Sequence, residues 1–107
     1  MNGANSLITT RRFTTDSEGK DQYNTDVISS TEVYIEPLNA QAAKNYADYD
    51  MNLLFLMVGD GIMNILISDS VTDEDDVNYT VVGVQQYKGG EIPSHTETVM
   101  FKKRTVA

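Results

Sequence analysis

The densest chemistry-bearing groups in this chain are carboxylates. Asp73, Glu74, Asp75 and Asp76 spell "DEDD" at the end of an acidic run that starts at Asp69. A calcium loop of the EF-hand type takes oxygen ligands at alternate positions and a Gly at the sixth. Counted from Asp69, the third position is Val71 and the sixth is Glu74, so that pattern fails. "DYDMN" sets Asp48, Asp50 and Asn52 at alternate positions, but its sixth residue is Leu53, where an apolar run begins. Metal-dependent nucleases gather carboxylates from separate segments, and adjacent ones cannot all converge on an ion pair. The run reads as a solvated, self-repelling loop. No metal site, no metal dependence and no cofactor are expected.

The remaining reactive groups are sparse. His95 is the one His; it follows "IPS" ahead of the last apolar alternation and reads as a surface His in a hairpin. No G-x-S-x-G step accompanies it, so a nucleophilic triad has no starting point. "GDG" at Gly59, Asp60 and Gly61 lacks the length and the Lys of a phosphate-binding loop, and "KGGE" lacks a following helix. Tyr23, Tyr34, Tyr46, Tyr49, Tyr79 and Tyr87 could be base-stacking platforms, but such platforms interleave aromatics with cations. Here the neighbours include Asp, Glu and Asn, which favours core or protein-interface roles. No catalytic residues and no enzymatic activity are expected.

Composition narrows the class further. The 107 residues fit one domain, residues 1–107, with a loose polar tail over residues 1–6. Sixteen acidic and eight basic residues give a formal net charge of -8, the reverse of what non-specific DNA binding requires. The only dense basic cluster is Lys102, Lys103 and Arg104. With no Cys there is no disulfide or thiolate chemistry, which mildly favours a reducing compartment. The first residues lack the basic-then-apolar pattern of a secretory signal.

The elements that would position any site follow from periodicity. "MNLLFLMVGDGIMNILI", residues 51–67, is the most apolar stretch. A spanning helix needs about 20 continuous apolar residues, and this stretch is shorter and is cut by "GDG". No membrane association is expected. Two glycines also make a poor helix interior. The stretch therefore predicts two adjacent antiparallel core strands, residues 51–58 and 62–68, joined by a tight Gly-Asp-Gly turn. A near-continuous apolar strand needs both faces covered, inside a barrel or by a ring neighbour. Residues 7–13 alternate weakly and predict an edge strand, and residues 14–26 a polar hairpin connection. "SSTEVYIE" alternates, with Thr31, Val33 and Ile35 opposite Glu32, Tyr34 and Glu36. Pro37 ends it. Asn39 then caps a short helix over residues 40–46. After the acidic loop, "VNYTVVGVQQY" predicts a strand and Gly89-Gly90 a primed turn. "TETVMFKK" returns, with Val99 and Phe101 alternating against Glu97, Met100 and Lys102. The sum is all-β: a small β-barrel or sandwich with one short helix in the loop between the second and third strands.

That layout resembles the head-closure proteins of long-tailed bacteriophages, also called head–tail joining, stopper or neck proteins. The resemblance rests on the step Ile35-Glu36-Pro37-Leu38-Asn39, the helix-bearing loop after it, and the hairpin residues Asp76, Tyr79, Val81 and Val84; it spans residues 7–103. It implies a virion neck protein, assembled in the host cytoplasm, that forms a homo-oligomeric ring. The ring would join the head portal or adaptor protein to a tail-tube or tail-completion protein and retain packaged dsDNA in its lumen without reading sequence. Residues 38–50 would be the channel or gating loop, with Leu38, Ala42, Tyr46, Asp48, Tyr49 and Asp50. The apolar stretch would supply a subunit interface through Leu54, Leu56, Ile62 and Ile65. Asp69, Asp73, Asp75 and Asp76 would form a docking loop. An acidic chain also suits a duct, since acidic walls repel phosphate. Two other readings stand beside this one: another phage tail-completion or tail-terminator protein, and a monomeric ligand-binding β-barrel. A hydrolase is disfavoured because no site converges.

Overall fold

In the computed structural model, residues 3–15 and 21–103 are described, with backbone only for 13–15 and 21–25. Six strands close into an antiparallel barrel in the order β1-β2-β3-β6-β5-β4. They are β1 Ser6–Thr15, β2 Asp21–Pro37, β3 Leu54–Asp60, β4 Ser70–Thr72, β5 Asn78–Tyr87 and β6 His95–Lys102. Helix α1, Ala40–Ala43, lies between β2 and β3 and continues as a 3-10 turn, Lys44–Tyr46. The expected all-β class and helix position are both found. Among the described residues no helix is long and apolar enough to cross a membrane.

Alternation sets the inside of the barrel. Ile8 on β1, Val33 on β2, Met57 on β3, Val71 on β4, Val81 on β5 and Met100 on β6 are all buried in one cluster, and Ile35, Phe55 and Val84 pack against it. The ring of Phe55 meets that of Tyr79 edge-on at 5.7 Å between centroids. The inner face of β6 is Thr96, Thr98 and Met100. Val99 and Phe101 therefore share the outer face with Glu97, so the expected contrast between them does not hold.

The apolar stretch departs most from expectation. Residues 51–53 form a 3-10 turn, and β3 starts at Leu54 and runs through Gly59 to Asp60. Residues 62–68 are not a strand at all; they form an irregular loop folded over one end of the barrel. The partner that β3 was expected to find there is supplied instead by β6, paired from Leu54↔Phe101 to Asp60↔His95. Met63 and Ile65 of the loop enter the core as a plug. Gly59 permits this, because a Cβ there would collide with the Met63 thioether. Thr96 ties the plug down: its hydroxyl donates to Gly61 O at 2.8 Å and accepts from Met63 N at 2.9 Å.

Three other expectations change. Residues 14–15 and 21–26 are strand, not connection, with β1 and β2 paired as far as Thr15↔Asp21; residues 16–20 of the expected connection lie outside the described residues. Only Tyr34 to Pro37 of β2 pairs with β3, and only Thr9 to Arg11 of β1 with β4, so this ribbon projects past the barrel. The molecule is accordingly 47 Å long against 28 and 25 Å across. β2 carries the extra residue at each of three register shifts, and bulges of this kind bend a ribbon. Two residues of the expected tail are held instead, since Ser6 is in β1 and the Asn5 side chain bonds both Ile35 N and Ile35 O at 2.8 Å; residues 1–2 lie outside the described residues. The β5–β6 connection runs from Lys88 to Ser94 rather than closing in a two-residue primed turn.

The Asn39 cap forms as expected, with its Oδ1 accepting from Ala42 N at 2.8 Å. We predict that Asn39→Ala costs about 1 kcal/mol, read as a lower urea midpoint with an unchanged slope.

Candidate functional site

Because every strand is antiparallel to its neighbours, the barrel has two chemically distinct poles. At one, β1 and β5 begin and β2 and β4 end, with the 73–76 turn between β4 and β5. At the other lie the ribbon, the plug loop and the 88–94 connection.

The acidic residues divide between the poles. β4 interrupts the expected 69–76 loop. Asp73 is half-buried and builds its turn: Oδ1 accepts from Asp75 N at 2.9 Å and Val77 N at 3.0 Å, and Oδ2 from the Tyr79 hydroxyl at 3.3 Å. Burial first, then the charge of Asp73, pushes the Tyr79 phenol up to about 12. Glu74 reaches across to accept from Leu7 N at 3.0 Å. Of the four residues expected to form a docking loop, Asp75 and Asp76 are exposed. Asp69 is not: it is buried at the opposite pole. There Arg12 grips it with two hydrogen bonds, Nε to Oδ1 and Nη2 to Oδ2, both 3.1 Å. Asp69 Oδ2 also accepts from Leu66 N at 2.9 Å, while Arg12 Nη2 reaches Asn64 Oδ1 at 3.1 Å. The pair therefore latches the plug loop to β1. It also raises the Arg12 pKa above its ordinary value, chiefly through the hydrogen bond to Asp69.

The expected gating segment, residues 38–50, is docked on its own barrel. Leu38 N donates to Leu54 O at 3.0 Å. Tyr46 lies over Gly83, in a groove also lined by Leu56, Glu97 and Val99. The Tyr49 ring meets Phe101 at 5.0 Å between centroids. By register, Leu54, Leu56, Phe101 and Val99 all point outward from the barrel. The segment thus buries the outer face of β3, and Leu54 is 1% exposed although it lies outside the central cluster. Ala42 is half-buried, Ala43 buried, and Asp48, Tyr49 and Asp50 exposed. Asp50 also caps the 3-10 turn, accepting from Asn52 N at 3.0 Å.

The expected subunit-interface set splits. Leu54 and Ile65 are buried within the single chain and present no surface, which corrects their assignment. Leu56 is half-buried beside Tyr46. Ile62 is exposed at the plug pole with Leu66, Ile67 and Ile92, the last two 64% and 70% exposed. A shallow groove beside them is lined by Ile65, Leu66, Ile67, Val84 and Gln86.

Compared with known proteins, the chain matches no family model and has no significant match among curated proteins. Among the described residues, no group of three or more His, Cys, Asp or Glu is placed to hold a metal ion.

Sequence reasoning missed the Arg12–Asp69 latch. One signal was present: Ile8, Thr10 and Arg12 share a face of β1, so the alternation carries a cation toward the core, where it requires a carboxylate. Which of the acidic residues would answer was not legible.

Proposed function

We propose that this protein is a structural, non-enzymatic component of a bacteriophage neck, forming a ring that joins the portal or adaptor of the head to the tail and helps retain packaged DNA. The observation that carries the proposal is a closed barrel whose β2–β3 connection holds the helix, entered through the Pro37-Leu38-Asn39 step. That is the arrangement the resemblance implies. The exposed apolar residues at the plug pole and the acidic turn at the opposite pole give such a subunit two chemically different faces for two neighbours. The docked state of residues 38–50 favours a joining role over a moving gate, because gating would require Tyr46 and Tyr49 to leave the barrel wall. The packed interior weighs against a ligand-binding barrel, which needs an internal cavity.

The test is assembly. Size-exclusion chromatography with light scattering, and incubation with DNA-filled tailless heads, should show several copies per head at the portal vertex. A chain that stays monomeric, does not bind such heads and is missing from purified virions would overturn the proposal.

A further inference from the structure

The imidazole of His95 is held between two acceptors. Nδ1 lies 3.1 Å from the Pro93 carbonyl oxygen and Nε2 lies 3.0 Å from Glu97 Oε2. A carbonyl and a carboxylate can only accept, and a neutral imidazole has a single N–H to give. One contact would then set a ring lone pair against an oxygen lone pair. Only the imidazolium donates to both. The ring also lies flat on Tyr87, 4.6 Å between centroids and 8° between planes, a position in which an aromatic face favours a cation.

The surrounding charges act in the same direction. Asp60 on β3 is the cross-strand neighbour of His95, and Tyr87 is its neighbour on β5. Glu97 shares β6 with it, and Lys88 and Glu91 lie in the connection beside it. Carboxylates outnumber the single ammonium among these groups.

The turn that His95 holds carries two other segments. Ser94 Oγ accepts from Gly89 N at 2.7 Å, which folds the 88–94 connection, and Ser94 O accepts from Gly61 N at 2.9 Å, where the plug loop begins. We propose that His95 is a pH-sensitive fastener: its protonated ring holds the 88–94 connection, with Ile92 at its exposed tip, against the plug pole, and loss of the proton releases that connection.

The sign follows from the contacts. The His95 pKa is raised above its ordinary value of 6.5, first by the Pro93 carbonyl and then by Glu97. A raised pKa means that the stabilisation is fully present below 6.5 and is lost as pH rises through the folded-state value. The fastened form therefore belongs to acidic and near-neutral pH.

With one His in the chain, the imidazole signals in an NMR pH titration of the intact protein are unambiguous. The expected result is a midpoint above 6.5, with the amides of Gly61, Gly89, Gly90 and Ile92 shifting at that same midpoint and exchanging faster above it. Glu97→Gln should move the midpoint down toward 6.5. His95→Phe keeps a ring on Tyr87 and should leave those amides indifferent to pH in that range. A midpoint at or below 6.5, amides that do not follow the imidazole, or amides that still follow pH in His95→Phe would each overturn the proposal.

Discussion

Met57→Asp should abolish folding, whereas Leu54→Asp should leave a folded barrel with a loosened outer segment. The two residues lie three apart on the same apolar strand and are both essentially inaccessible, yet they face opposite ways. Met57 points into the central cluster among Val33, Val81 and Met100. A carboxylate there has no partner and no water, a cost of several kcal/mol set against a total stability of about 5–15 kcal/mol. Leu54 lies under residues 38–53. A carboxylate there can regain water if that segment lifts away, at the cost of the contacts made by Tyr46 and Tyr49. Circular dichroism should show no cooperative unfolding for Met57→Asp, and a retained but lower transition for Leu54→Asp. Limited proteolysis of Leu54→Asp should cut within residues 38–53 first. Equal loss of structure in both variants would show that the outer segment and the barrel form one inseparable core.

Arg12→Met should cost about 3 kcal/mol, because it leaves the Asp69 carboxylate buried and without its cation. The lower end of the range for a broken buried pair applies, since the Arg12 side chain is 28% exposed while that of Asp69 is 2% exposed. For a domain of this size that amounts to a Tm lower by about 12 °C or more. Adding Asp69→Asn should recover part of the loss, because it removes the orphaned charge while an amide oxygen can still accept from Leu66 N. Hydrogen exchange should localise the damage to residues 61–69, above all at Met63 and Leu66. If Arg12→Met instead melts within a degree or two of the parent, the plug holds through Met63 and Ile65 alone and the latch is ornamental. The surface pair Arg11–Asp26, at 2.9 Å but largely exposed on both sides, should by contrast contribute under about 1 kcal/mol.

Local chemistry in the sequence determined a good deal. Pro37 lacks an N–H for further pairing, and Asn39 can cap a helix from its side chain, so the helix after β2 was legible from two residues. The alternation of Thr31, Val33 and Ile35 against Glu32, Tyr34 and Glu36 located a strand and its inner face. The β-rich runs on either side of Gly89 and Gly90 gave the final hairpin, and with it the all-β class. Each of these rests on interactions within a few residues, which is why the order of residues alone can show them.

What only the tertiary structure decided depends on contacts between distant segments. "IMNILIS" has strand composition, yet it forms a plug, because the pairing edge of β3 is taken by β6 and the open end of the barrel needs Met63 and Ile65. An apolar run says that it will be buried, not against what. The same limit hid the cover on Leu54: its outward face is buried by the protein's own loop, where the sequence allowed a neighbouring subunit. It hid the place of Asp69 as well, which sits in an acidic run by sequence but in a buried ion pair by structure, with a partner 57 residues away. Charge, like hydrophobicity, is visible in the sequence as a requirement for a partner. The identity of the partner is settled only when the barrel closes.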